Sequence, residues 1–428
     1  MGVAGCRWVS GVIAVAFGLG AGVLRDPAGV LRTALLMMSG DPRVRRLVST
    51  APLTRGVVER FVAGEDVAAA VRVAGGLRDA GLRVSLDLLG EDVTDRRLAE
   101  ESAAAYGGLL RALADVGLTP AAEVSVKLSA LGARVDAALA RDLALRVCQA
   151  ARDAGTCVTV DMEDHTTTDA TLAVVADLRR EFGETGAVVQ ACLRRTEADC
   201  RDLAAAGGRV RLCKGAYAEP ASVAYTRRAE VSASYARCLA VVMAGRGYPM
   251  VATHDPVLIE LAAGLAGALA TGRLPVSAQA AGGWSAGQAP TAPQVEAPQV
   301  EVPSAGMSQA GTSQAEASSV ATPPVELAVD GRFDRRAVEV PRGAASQGAV
   351  SQGAAGQGAA SQGVARRPFE YQMLYGVRPG EQRRLAEAGE TVRVYVPCGR
   401  EWYGYLMRRL AERPANLLFF ARALRSTS

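Results

Sequence analysis

Among 428 residues the chain keeps two lysines, Lys127 and Lys214, and two histidines, His165 and His254. Arginine supplies nearly every other positive charge, so a retained ammonium is a candidate for chemistry that a guanidinium cannot perform. Both lysines close short β-branched runs, VSVKLSAL (124–131) and RVRLCKG (209–215). Similar runs carry other ionisable or amide groups near their ends. Asp87 and Glu91 accompany VSLDLL (84–89), Asp161 and Glu163 end CVTVDME (157–163), and Gln190 lies in AVVQACL (187–193). Arg211 precedes Lys214, His254 ends PMVATHD (249–255), and Tyr395 lies in TVRVYVP (391–397). Thr159, Asp161 and Glu163 share a period-2 parity, as do Arg393 and Tyr395, which puts each set on one side of a strand. Polar groups on one face of strand after strand predict a cavity for a polar ligand. Further on, Tyr405, Arg408, Arg409 and Glu412 fall at i, i+3, i+4 and i+7, on one broad helix face. Two adjacent guanidinium forks can grip a carboxylate with a geometry that lysine lacks.

The elements that must position these groups follow from the same runs. With FEYQML (369–374) there are eight, each followed by an Ala/Leu/Arg-rich helical stretch, as βα units require. Residues 31–83 read as helical before the first run. The regularity breaks at 283–365, which is rich in Ala, Gly, Gln, Ser and Pro and carries short repeats. Few large apolar side chains are available there to offset backbone ordering, so a disordered insertion over 274–366 is predicted. The remainder, 84–273 and 367–425, amounts to roughly 250 residues, the usual size of one (β/α)8 barrel. The expected architecture is an α/β TIM-type barrel. It comprises an apolar extension (1–30), a helical segment (31–83), strands 1–6 (84–273), the insertion, and strands 7–8 with a final helix (367–428). In such a barrel the site forms at the C-terminal strand ends, where the polar groups cluster.

Composition narrows the function. Hydrophobic residues make up 49% and charged residues 21%, enough for a sizeable core. The net charge of +4, from 48 basic and 44 acidic side chains, is too balanced for a nucleic-acid partner. The eight cysteines form no C-x-x-C pair and no metal-type spacing, so no metal is expected, and a reduced cytoplasmic protein is. Cys157, Cys192, Cys213 and Cys398 lie in apolar runs and read as small core residues. Residues 8–24 are apolar but only marginally long enough to span a bilayer. They suit a signal segment, a buried helix or a peripheral membrane contact. The residues alone leave open a barrel enzyme acting on a small carboxylate, a Schiff-base lyase using Lys127 or Lys214, and an inert barrel displaying the insertion. A lyase needs a pocket that lowers a lysine pKa, whereas Asp161, Glu163 and Glu91 are expected to raise it.

The motifs VSVKLSALG, VTVDMED, VVQACLRRTEADC, RVRLCKGAYAEP, MVATHDP, FEYQMLYGVR and VRVYVPCGREWYGYLMRRLAERPAN occur in that order. Over about 31–273 and 367–425 the chain resembles the bacterial monofunctional proline dehydrogenase family. The resemblance implies a distorted (βα)8 barrel holding FAD. It also implies oxidation of L-proline to Δ1-pyrroline-5-carboxylate, the first step of proline degradation to glutamate, with hydride passing to flavin N5 and electrons to a quinone. By the same resemblance, Lys127, Arg408 and Arg409 bind the proline carboxylate, and Asp161 and Arg211 are the catalytic polar residues. Met162, Gln190, Arg211, Lys214, Gly215, Ala216, Thr253 and His254 hold the FAD. Tyr395 and Leu374 pack on the substrate ring, Tyr217 shares the pocket, and Glu91 pairs with Arg408 as a gate. Two departures stand out: Cys192 where the family commonly has tyrosine, and Cys213 where a valine-like residue is frequent. Both are expected to empty volume near the flavin.

Overall fold

Alternation along most strands sends branched apolar side chains outward and polar ones inward, and eight strands close on themselves. They are β1 (Arg83–Leu88), β2 (Ala122–Val126), β3 (Val158–Val160), β4 (Gly186–Gln190), β5 (Arg209–Cys213), β6 (Tyr248–Ala252), β7 (Glu370–Leu374) and β8 (Val392–Cys398). All neighbours pair in parallel and in chain order, with β1 closing on β8. This computed structural model describes residues 52–271 and 368–412. The apolar extension with residues 8–24, the insertion at 274–366 and the last residues of the chain lie outside them. Among the described residues no helix is long and apolar enough to cross a membrane.

Helices α1 (Pro52–Phe61) and α2 (Val67–Asp79) precede β1. One helix follows each strand: α3 (Arg96–Asp115), α4 (Ala137–Asp153), α5 (Thr168–Arg179), α6 (Thr196–Ala206), α7 (Arg228–Ala244), α8 (Pro256–Ala270), α9 (Pro379–Glu387) and α10 (Trp402–Glu412). Aspartates start several of them. Asp66, Asp95, Asp136 and Asp255 each accept a first-turn backbone N–H, satisfying donors that a helix end leaves bare.

The main apolar core lies between the outward strand face and the helices, where Leu86, Val126, Val160 and Leu212 meet Tyr106, Leu110, Leu143 and Leu239. A second cluster seats α10. Trp402, Tyr403 and Leu406 pack with Phe61, Val62 and Leu89, which fixes the helix carrying Arg408 and Arg409.

The barrel interior departs from the branched apolar layers usual in this fold. Its lowest layer is a buried ionic network. Arg209 Nη2 lies 2.6 Å from Glu123 Oε2, and Arg393 reaches Glu370 Oε1 at 2.8 Å and Glu123 Oε2 at 3.3 Å. Burial pushes the Glu123 carboxyl up, but Arg393 and Arg209 outweigh that and hold it at about 2. Cys157, expected in the apolar core, faces this layer instead, taking a contact of 2.6 Å from Arg209 Nη1. Gly186 on β4 makes room inside the barrel, since a Cβ there would stand 2.6 Å from Thr159 Oγ1.

Candidate active site

Above the middle of the barrel the strand ends open into a cavity of about 640 Å³, within the range of ligand sites. Every site residue that the resemblance implies lines it: Glu91, Lys127, Asp161, Met162, Gln190, Arg211, Lys214, Gly215, Ala216, Tyr217, Thr253, His254, Leu374, Tyr395, Arg408 and Arg409. Asp87 and Tyr405, singled out by their positions in the sequence, also line it, and Cys213 and Gln372 join them. Cys213 reads as core from its apolar run, while the resemblance sets it near the flavin; inward parity on β5 brings it to the cavity wall. Glu163 leaves the ring. β3 ends at Val160, so its parity does not carry on, and the Glu163 carboxylate accepts the Ser129 N–H at 3.0 Å and the Ser129 hydroxyl.

Asp161 is the hub. Its Oδ1 accepts from Arg211 Nη1 at 2.6 Å and its Oδ2 from the Tyr395 hydroxyl at 2.7 Å. Arg211 is held from below by Ser125 Oγ at 3.0 Å and Ser85 Oγ at 3.3 Å, and its guanidinium sits 5.3 Å from the Tyr395 ring centroid. Among the described residues its buried Nε has no hydrogen-bond partner. Burial raises the Asp161 carboxyl above the usual range against the pull of Arg211 and Lys127.

Lys127 donates to Asp87 Oδ2 at 2.7 Å, with Asp161 Oδ2 at 3.9 Å and Glu91 Oε1 at 4.0 Å. Burial by itself would lower its pKa, but Asp87, then Asp161 and Glu91, outweigh that and raise it above the ordinary lysine value. The ammonium is therefore a fixed charge rather than a nucleophile. Its place at the end of a β-branched run flags Asp87 but not this partnership, because the two residues are 40 positions apart.

Arg408 Nη2 meets Glu91 Oε1 at 2.9 Å, and Arg409 lies 5.2 Å from the Tyr405 ring centroid. Glu412, on the same predicted face, has a side chain outside the described residues. On the opposite wall Lys214 Nζ contacts Asp255 Oδ2 at 2.9 Å and Ser232 Oγ at 3.0 Å. His254 Nε2 accepts the Leu374 N–H at 2.9 Å, so that nitrogen carries no proton, and Gln190 donates to the Glu163 carbonyl at 2.7 Å. Gly215 has φ +102°, and a Cβ there would stand 2.3 Å from Cys192 Sγ. Only glycine allows this loop to lie so close to the thiol.

Fold and cavity together define a (βα)8-barrel enzyme whose mouth gathers two ammonium groups and three guanidinia around carboxylates. A profile of the proline dehydrogenase family matches residues 70–285 and 334–422. Proline dehydrogenase from Deinococcus radiodurans is 29% identical over 92% of this chain and 97% of its own length. Proline dehydrogenase 1 of Bacillus subtilis strain 168 is 27% identical over 92% and 99%. The chain belongs to the proline dehydrogenase family and is an enzyme of proline oxidation. Among solved structures, proline utilization A from Bdellovibrio bacteriovorus, inactivated by N-propargylglycine, superposes with a TM-score of 0.58 at 20% identity. That match covers 84% of this chain but 33% of the other, so the chain spans about a third of its length and shares its fold.

Proposed function

We propose that the cavity holds FAD and L-proline side by side, and that the product is Δ1-pyrroline-5-carboxylate. The observation that carries this is the convergence of Lys127, Arg408 and Arg409 on the wall shared with the Asp161–Arg211–Tyr395 cluster. The residues suit a flavin. The orphaned Arg211 Nε is a buried cationic donor awaiting an acceptor, Gly215 lets backbone approach closely, and Lys214, Thr253 and His254 add polar groups. When bound, FAD supplies the two-electron acceptor for a hydride from proline C5. Arg211, a fixed positive charge, would favour negative charge on the reduced ring system.

The chain's own groups orient and enclose. Lys127, kept protonated by Asp87, and the paired guanidinia of α10 fix the substrate carboxylate, which turns the reaction into a positioned event. Tyr395 and Leu374 pack on the pyrrolidine ring. Asp161 already accepts on both oxygens, so it sets the orientation of Arg211 and Tyr395 rather than serving as a free base. The Glu91–Arg408 bridge closes the mouth, and excluding water strengthens the contacts inside. A quinone takes the electrons onward from a cytoplasmic protein, and a peripheral membrane contact through residues 8–24 would bring the two together. A Schiff-base reading is disfavoured because Lys127 is held charged and Lys214 is paired with Asp255.

Purified protein should be yellow, bleach anaerobically with L-proline and lose activity on incubation with N-propargylglycine. Colourless protein that FAD cannot reconstitute would overturn the assignment.

A further inference from the structure

The segment after β5 supplies four cavity residues, Lys214, Gly215, Ala216 and Tyr217, yet little holds it in place. Its near end is fixed where the Lys214 carbonyl accepts from the Cys192 N–H at 2.9 Å. Its far end is fixed where Arg194 N–H reaches the Val223 carbonyl at 2.9 Å and Tyr225 N–H the Cys192 carbonyl at 2.8 Å. Between them, Gly215–Glu219 enter no backbone–backbone hydrogen bond among the described residues, and Gly215–Ala218 are exposed. Glu219 is the exception. Its side chain is 4% exposed, and both its oxygens are spent on one residue 54 positions away: Oε1 accepts the His165 backbone N–H at 3.0 Å and Oε2 meets His165 Nδ1. His165 opens a one-turn 3₁₀ helix that Asp164 caps, four residues after Asp161.

We propose that the His165–Glu219 pair is a clasp that positions the β5 segment, and Tyr217 in particular, over the cavity mouth. Tyr217 lines the same cavity as Glu91 and Arg408, so its placement shapes the same entrance as the ion pair between them. The clasp joins the strand-end segment carrying Asp161 to the one carrying Lys214 and Tyr217, without either member lining the cavity. His165 and Glu219 are thus positioning residues, acting through Tyr217. This inference rests on the cavity being the proline site.

The test uses holoenzyme with two readouts. His165→Ala should raise the proline KM roughly tenfold, as loss of one charge-assisted hydrogen bond allows, with a much smaller change in kcat. Chymotrypsin should cut after Tyr217 faster by a similar factor, the new end being read by mass spectrometry. His165→Asn, whose amide N–H can replace the ring donor and which keeps the backbone N–H, should restore both. Unchanged KM and cutting in His165→Ala, or an Asn variant as impaired as Ala, would overturn the proposal. If His165→Ala does not fold, Glu219→Gln carries the same readings, with a smaller shift for a neutral partner. Wild-type protein that fails to oxidise proline would refute the substrate assignment, while the cutting arm judges the clasp by itself.

Discussion

The floor and the mouth of the barrel use the same residue types and do opposite things with them. On the floor two carboxylates, Glu123 and Glu370, meet two guanidinia, Arg209 and Arg393, with every side chain at most 6% exposed. The charges cancel and the donors are spent. At the mouth Asp87, Asp161 and Glu91 face Lys127, Arg211, Arg408 and Arg409, leaving one positive charge in excess beside open space. A closed, balanced network stabilises; an open one with a surplus cation is a place for an anion. The surplus supports the proposal that this wall takes the substrate carboxylate.

The sharpest way to break the comparison is Glu123→Ala, which strips buried Arg209 of its close carboxylate and leaves Arg393 with Glu370 alone. It should cost about 3–5 kcal/mol of stability by urea melt, with the proline KM unchanged in the folded fraction. Its pH signature has a definite sign. The Glu123 carboxyl sits at about 2 in the fold against 4.5 ordinarily, so its contribution is complete above about 4.5 and lost as pH falls through about 2. Glu123→Gln should flatten that acid limb of the stability curve.

At the mouth, Arg408→Met or Arg409→Met should leave the melt nearly untouched but raise the proline KM about thirtyfold, about 2 kcal/mol. If both keep wild-type KM, the carboxylate is bound elsewhere. Asp87→Asn sharpens the contrast within the mouth. Lys127 owes its raised pKa first to Asp87, so its charge, present below the ordinary value, persists to higher pH in the wild type. Without that carboxylate, proline binding should be lost at a lower alkaline pH, as a KM–pH profile would record. Glu91→Ala should have the smallest effect, a few-fold change in KM through a half-buried ion pair. A loss as large as that from Arg408→Met would make Glu91 part of the clamp rather than a gate.

Much of this was legible in the chain. The eight β-branched runs became β1–β8 within a few residues, because alternation and run length are local properties. The residues expected at the mouth line one cavity because barrel closure sends every strand's C-terminal end to the same place. Other features were hidden. Glu123 and Glu370 look like ordinary charges at the starts of strands until closure stacks them under Arg209 and Arg393. Cys157 and Cys213 sit in apolar-looking runs, yet inward parity turns them toward polar layers. Glu163 shows the limit of parity itself, which still holds at Asp161 but fails three residues beyond the end of β3.

What the sequence determined by itself was the inventory: two lysines, a paired arginine on one helix face, strand periods and helix caps. All of these depend on neighbours a few positions away. Which charge meets which was decided only by the tertiary structure. Lys127 chooses Asp87 over Glu91, Arg211 lodges among Ser85, Ser125 and Asp161, and His165 reaches Glu219. Those pairings join residues 40 to 126 positions apart, and their strength comes from burial that exists only once the barrel has closed.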